Sequence, residues 1–439
     1  MMHKRFPVLA AALFLISGAV AFAGGSKEKS APASTPANTV MTANPSSATL
    51  NVEVQGGELK TQAIQDMVQK FEQQTGIHVN LIPVPTGSMT QKTLLDLKTN
   101  AKLYDVAMVP EDTFWEYAGA KYLASLGSVS ATPAWLQGFI PAFASRVQYE
   151  GNWYGTPIDA ESNVLYYNTK LFKDAGLDPS SPPQTWAEFL KDAQQLQAHG
   201  IDATGWLGAT GNNATWNWAD FLFSFGGNFF DSQNQPVFNN AQGVKSLEYV
   251  TSLINTYHVM PSAVTTWGYS QLFSAMEQGK IAMAITWPNL YAQLNDPSKS
   301  AVVNQVKIAP PPSFDGTAGV PGGEWKLIVP YDTPHLSAAT QFVRYFSTSE
   351  FEYYEATKYG MLPARSSVYQ RLEKEHPSYT WSVWNTVLSK DTKWMPVQHA
   401  NWPTISNDIS YAIQQVELQK ASAQDALTAA AKQIQALGN

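Results

Sequence analysis

The stretch "GTPIDAESNVLYYNTKLFKDAGLD", Gly155 to Asp178, sets two carboxylates against an apolar run. Asp159 and Glu161 follow Thr156-Pro157, and Val164 to Tyr167 comes just behind them. A short apolar and aromatic run of this kind should be buried. Acids beside such a run have three readings. They can be a catalytic pair, acceptors for a bound ligand, or loop residues on a solvated edge. Residues i and i+2 of an extended segment point to one side. The pair therefore meets the first demand of glycoside hydrolysis, two carboxyls facing one bond.

Outward from this stretch the chain keeps an α/β rhythm. "TLNVEV", from Thr49, alternates as a strand does, and Gln55-Gly56-Gly57-Glu58 is a turn. Ile64, Met67, Val68 and Phe71 then recur at helical spacing until Gly76. "IHVNLIPV" is a second strand, a helix carries Leu94, Leu95 and Leu97, and "YDVAMV" is a third strand. This βαβαβ order predicts a parallel sheet with right-handed crossovers. Downstream, Thr185-x-x-Glu188 is a capping box that starts a helix. Val244, Leu247, Thr251 and Ile254 mark another helix, "KIAMAIT" and "KLIVP" are strands, and Ala339, Phe342, Val343 and Phe346 form an apolar helical stripe. The Ala- and Gln-rich tail, Ser406 to Leu437, reads as helical.

A chain of 439 residues is long for one core, which predicts two α/β lobes. Ligands of open α/β sheets bind at the carboxyl ends of strands. The loops to watch are therefore Gln55–Glu58, Pro110–Phe114, Asp159–Asn163 and Thr286–Asn289.

The first residues predict an export signal over 1–23. His3, Lys4 and Arg5 precede the apolar run Val8 to Ile16, and Ala21-Phe22-Ala23 fits a small-x-small cleavage site. Residues 24–48, rich in Ser, Ala, Pro and Thr, read as a flexible leader. The expectation is a periplasmic or extracellular protein. With no Cys in the chain, an N-terminal lipidated cysteine and zinc–thiolate sites are excluded. A formal charge of −7 argues against nucleic acid as partner. No G-x-G-x-x-G or G-x-S-x-G motif occurs, and no two of the seven His pair at i, i+4. No metal and no cofactor are expected.

The extended stretch "GNWYGTPIDAESNVLYYNTKLFKDAGLDPSSPPQTWAEF" resembles the signature of extracellular solute-binding proteins of ABC sugar importers, the maltodextrin-binding-like family. "YDVAMVPEDTFWEYAGAKYLASL", "FSAMEQGKIAMAITWP", "GGEWKLIVP" and "AATQFVRYFSTSEFEYYEATKYGMLPARSSVY" resemble further family blocks in family order, from about Thr49 to Tyr369. The resemblance implies a two-lobed periplasmic-binding-protein fold, each lobe a mainly parallel sheet flanked by helices, with the ligand cleft at the hinge. It places the N-terminal lobe at 49–160 plus 306–347 and the C-terminal lobe at 161–305 plus 348–439. Chain crossings would fall near Pro157–Glu161, Val303–Lys307 and Phe346–Ser349. It implies a monomeric binding protein, not an enzyme, that closes on a carbohydrate and hands it to the membrane permease of an ABC importer.

A sugar presents hydroxyls in fixed directions and an apolar face. Acids and amides suit the first and flat rings the second. On that basis, and with Glu161 matching a family acid, the expected ligand residues are Glu58, Asp112, Asp159, Glu161, Trp216, Trp287, Asn289, Glu324, Trp325 and Trp402. Trp115 reads equally as site or core. Trp218, followed by an apolar helix, reads as core. Two alternatives stay open: a glycoside hydrolase using Asp159 and Glu161, and the same fold holding another small solute such as a polyamine, iron or glycerol phosphate.

Overall fold

The computed structural model describes residues 48–437, apart from 58, 315, 317, 318 and 400 and the side chains of 59, 86, 87 and 379. The segments read as signal and leader, Ala48 excepted, and the candidate Glu58 lie outside the described residues.

Two sheets carry the architecture. In the first, the strand order is His78–Val84, Thr49–Gln55, Val106–Pro110, Trp325–Ile328, Gly155–Pro157. The first three run parallel, as the βαβαβ pattern requires. Trp325–Ile328 runs against both of its neighbours, with Trp325 opposite Pro110 and Lys326 opposite Pro157. The second sheet has the order Asp202–Thr204, Ile281–Thr286, Val164–Asn168, Val306–Ala309. Here Val164–Asn168 is the reversed strand. Each sheet is thus parallel in direction except for one strand that enters just after a chain crossing.

The crossing segments pair with each other in a small third sheet. Gly322 lies opposite Ser162 and Gly323 opposite Glu161, while Val320–Gly323 pairs in parallel with Thr392–Trp394. Glycine is needed there for closeness: a Cβ on Gly322 would come within 2.2 Å of Thr392 Cγ2.

Two expected boundaries move. Val306–Ala309 is hydrogen-bonded to Val164–Asn168, so it lies in the second sheet, and the return crossing falls after Ala309 rather than at Val303–Lys307. The helix Ser349–Tyr359 stays with the first sheet. Its Phe351 packs in that core, and Tyr354, Lys358 and Tyr359 all reach Asp66 of the helix Leu59–Thr75. The chain therefore leaves the first lobe beyond Tyr359, not at Phe346–Ser349. Surface pairs 288 to 293 residues apart leave no trace in local periodicity.

Both cores are apolar and aromatic. Leu50, Val52, Val54, Ile64, Phe71 and Phe342 fill one face of the first sheet. Trp186, Trp206, Trp218 and Phe221 pack beside the second. The capping box forms as read: Thr185 Oγ1 accepts the Glu188 amide while Glu188 accepts the Thr185 amide. The tail is two helices, Trp402–Glu417 and Ala423–Ala436. Among the described residues, no helix is long and apolar enough to cross a membrane, and no group of acids and histidines could hold a metal ion.

Candidate functional site

The direction of the strands decides which loops meet. Thr49–Gln55, Val106–Pro110 and Ile281–Thr286 end at the same cavity at which the reversed strand Trp325–Ile328 begins and beside which Glu161 precedes Val164–Asn168. The cavity holds about 820 Å³ and is open to solvent on one side. Of the expected residues it is lined by Asp112, Glu161, Trp216, Trp287, Asn289, Glu324 and Trp325.

At the crossing a lysine organises the acids. Lys60 Nζ lies 2.5 Å from Asp159 Oδ2 and 3.0 Å from Glu161 Oε1, and 4.7 Å from the centre of the Trp325 ring. Burial disfavours the ammonium, but Asp159 and Glu161 outweigh it and hold Lys60 above its ordinary value. The Trp325 amide donates to Asp159 Oδ1 at 2.7 Å. Asp159 is therefore fully buried, its oxygens taken by Lys60 and the Trp325 backbone, and it does not line the cavity. The expectation of Asp159 as a ligand contact is corrected to an internal tie. Two residues on, Glu161 shares the same lysine and does reach the cavity.

A second charged group stands behind the wall. Arg146 donates from Nε to Glu324 at 3.2 Å and from Nη2 to Glu111 at 3.4 Å, with its guanidinium 4.4 Å from the centre of the Trp394 ring. Lys326 pairs with the same Glu324 oxygen. Burial lowers Lys326 and pushes Glu111 well above the usual carboxylate range. Arg146 opposes the rise in Glu111 and the charge of Glu324 adds to it.

The aromatic side is held by hydrogen bonds. Trp287 Nε1 donates to Tyr269 Oη at 2.7 Å, and Tyr166 Oη donates to the Trp287 carbonyl at 2.9 Å. The Trp216 and Trp287 rings sit 5.4 Å apart at 58°. Gly323 lies beside the Trp287 ring, where a Cβ would be 3.8 Å from it, an ordinary contact distance. Asp112, in the first turn of the helix Glu111–Gly119, accepts from Asn212 Nδ2 at 3.1 Å, and burial raises its carboxyl above the ordinary value.

The other tryptophans belong elsewhere. Trp402, expected to stack on ligand, is 1% exposed and meets Phe229 edge-on at 5.9 Å, inside the second core. The "NWP" segment opens a helix, Trp402–Glu417, and the apolar side of a helix start faces inward. Trp218 is core, as read, its Nε1 donating to Ser246 Oγ. Trp115 packs against Phe114 and Tyr149 and does not line the cavity.

Sequence reasoning missed Lys60, Tyr269 and Asn212, which all line the cavity. Lys60 finds its acids 99 and 101 residues away, and Tyr269 finds Trp287 at 18. Only the strand-end rule, extended one helical turn beyond the loop, would have flagged Lys60.

The sequence profile of the bacterial extracellular solute-binding proteins matches residues 57–352. A probable amino-acid ABC transporter periplasmic-binding protein of Sinorhizobium fredii is 24% identical over 298 residues, 66% of this chain and 66% of that protein's length. Among solved structures, maltose-bound MalE3 of T. maritima superposes with a TM-score of 0.78 at 24% identity, over 89% of this chain and 100% of that one. A solute-binding protein of Thermotoga lettingae bound to α-D-tagatose gives 0.79 at 23% identity, over 88% and 99%. These likenesses establish the two-lobed fold of periplasmic binding proteins.

Proposed function

The chain belongs to the bacterial extracellular solute-binding protein family, and from that premise we propose that it captures a carbohydrate and delivers it to the permease of an ABC importer. The observation that carries this reading is the cavity wall. Trp216, Trp287 and Trp325 offer flat rings, and Asp112, Glu161, Asn212 and Asn289 offer polar groups among them. That pairing suits a ligand with an apolar face and a rim of hydroxyls. The maltose of the T. maritima neighbour and the tagatose of the T. lettingae neighbour are ligands of that kind. Glu161, Asp112 and Asn289 bond hydroxyls, and the rings of Trp287 and Trp325 stack, while the expected Glu324 side chain is fully buried against Arg146 and Lys326 behind the wall and braces it instead. The protein works outside the inner membrane as a monomer, and ligand spanning both lobes favours the closed state by binding it better.

The hydrolase alternative loses its geometry. Asp159 is sealed off from the cavity by Lys60 and the Trp325 amide, so it cannot face a glycosidic bond together with Glu161. The protein is a binder and not an enzyme.

Thermal unfolding over maltose, D-tagatose, D-mannitol and the twenty amino acids tests the reading. A ligand of the folded state alone raises the midpoint by mass action. A carbohydrate or polyol should raise it. A rise with an amino acid and none with any carbohydrate would replace this reading.

A further inference from the structure

The cations and the unanswered polar atoms around the cavity are distributed unevenly. Lys60 gives two of its three N–H bonds to Asp159 and Glu161 and lies against the Trp325 ring. Arg146 is divided between Glu111 and Glu324 and stacks on Trp394. Lys326 is paired with Glu324 and lies 5.3 Å from the Phe114 ring centre, fully buried. Each of these three cations is committed to an acid of the chain. Lys299, the remaining cation on the lining, stands at the exposed outer end.

The unanswered atoms are nearly all acceptors. Asp112 Oδ1 and Asn289 Oδ1 are buried and take no hydrogen from any described residue, and Glu324 Oε2 and Glu111 Oε1 take none beyond one another's. Glu324 and Trp216 are 1% and 7% exposed, while Asp112 and Asn289 are half-buried. Among the described residues of the same wall, the one buried donor without a partner is Trp216 Nε1. A buried polar atom without a partner is costly, and these acceptors leave the wall electron-rich where a ligand would lie against it. The partner that fits supplies hydrogens and asks for few in return.

We propose that the cavity selects a polyhydroxylated ligand that presents O–H or ammonium donors and rejects sugars bearing a carboxylate or phosphate, with Asp112 the residue that sets this charge preference. The proposal rests on the carbohydrate reading above and narrows it. A ligand anion would lie beside the carboxylates of Asp112 and Glu161, with Lys60 already shared between two acids and Lys299 exposed to solvent, and like charges across an interface weaken binding. A ligand ammonium would meet Asp112, whose hydrogen-bond partner on another described residue is the neutral amide of Asn212. Burial already holds the Asp112 carboxyl above its ordinary value, although the charge of Lys326 opposes the rise.

The test uses matched series in calorimetry and thermal shift on the full chain. D-Glucose, D-galactose and D-mannose are each set beside the 2-amino sugar, the uronic acid and the 6-phosphate, with maltose as an uncharged disaccharide. In each series that binds, the acid and the phosphate should bind at least about tenfold more weakly than the neutral sugar, by the like-charge cost. The amine should bind at least as tightly as the neutral sugar. Asp112→Asn should abolish any advantage of the amine and narrow the penalty of the acid. A uronic acid or sugar phosphate binding as tightly as its neutral parent overturns the proposal and leaves the carbohydrate reading standing. So does an Asp112→Asn protein with an unchanged charge preference. If no series and no disaccharide binds, the carbohydrate reading fails and this proposal with it.

Discussion

The chain crossing and the cavity wall treat buried polar groups in opposite ways. At the crossing, Lys60, Asp159, Glu161 and the Trp325 amide answer one another at 2.5 to 3.0 Å. On the wall, Asp112, Trp216 and Asn289 each bury a polar atom that no described residue answers. A closed network contributes to the folded chain alone. An open one is a cost that the fold carries next to the cavity. Substitutions at the crossing should therefore be felt in unfolding, and substitutions on the wall in binding.

Lys60→Met should break the crossing and gives the largest effect. It strands Asp159, which is fully buried, without its cation. Breaking one side of a buried pair costs about 3–5 kcal/mol. Urea unfolding reads this directly, and a variant of wild-type stability would show that the network is not what holds the crossing.

Trp402→Ala sharpens the comparison from the core side. Its ring fills a space against Phe229 in the second core. Removing such a ring costs about 3–5 kcal/mol. Affinity for the bound carbohydrate, measured by calorimetry at a temperature where the variant is folded, should stay within about twofold, a change of under half a kcal/mol. A large loss of affinity at unchanged stability would return Trp402 to the site.

Glu161 belongs to both regions, because it shares Lys60 and also lines the cavity. Glu161→Ala should weaken carbohydrate binding by roughly 1.5–3 kcal/mol, the worth of a bond to a charged acceptor. It should destabilise less than Lys60→Met, since Asp159 keeps the lysine. Equal losses in stability for the two variants would erase the distinction between them.

How far the sequence foretold this arrangement depends on how far apart the partners are. The strands and the capping box at Thr185 follow from period and local chemistry, which act over a few residues, and the two lobes from chain length and the family resemblance. Trp287 was legible because it ends an apolar strand and stands beside Pro288 at a carboxyl end. Trp402 carries a similar Trp-Pro pair, but that pair opens a helix, where the ring turns inward. Asp159 and Glu161 were legible as a pair at the crossing. Their separate fates were not, because a lysine 99 residues upstream decides them. The return crossing is hidden for the same reason: Val306–Ala309 pairs with a strand 138 to 144 residues earlier, and its own pattern does not say which sheet it joins.

Trp287→Ala removes a wall ring whose Nε1 is already bonded to Tyr269. Its loss should weaken carbohydrate binding by about 1–3 kcal/mol, by analogy with bases stacked on aromatic rings. Intrinsic fluorescence should lose a defined part of its response to the ligand. Unchanged affinity together with an unchanged fluorescence response would make Trp287 a support for the wall and pass the stacking to Trp325.

The smallest effect has the opposite sign and tests whether the wall is truly open. Burial raises the folded carboxyl of Asp112 above its ordinary value of 3.8, against the pull of Lys326 and Asn212. The folded chain thus binds the Asp112 proton more readily than the unfolded chain does. Stability from this source is complete below the ordinary value and is lost as pH rises through the folded one. Asn does not titrate, and its side-chain oxygen can still accept the Asn212 amide that now reaches Asp112 Oδ2. In ligand-free protein the stability of Asp112→Asn relative to wild type should therefore increase as pH is raised from about 4 to 8. Asp220, pushed up to about 8 by burial, and Glu53, pushed up to about 7 by burial, titrate in the same sense. Both are present in both proteins and drop out of the difference. Urea midpoints of the two proteins at each end of the range suffice. A relative stability that stays flat, or that falls as pH rises, would mean that Asp112 is compensated inside the chain as Asp159 is, and the contrast between wall and crossing would not hold.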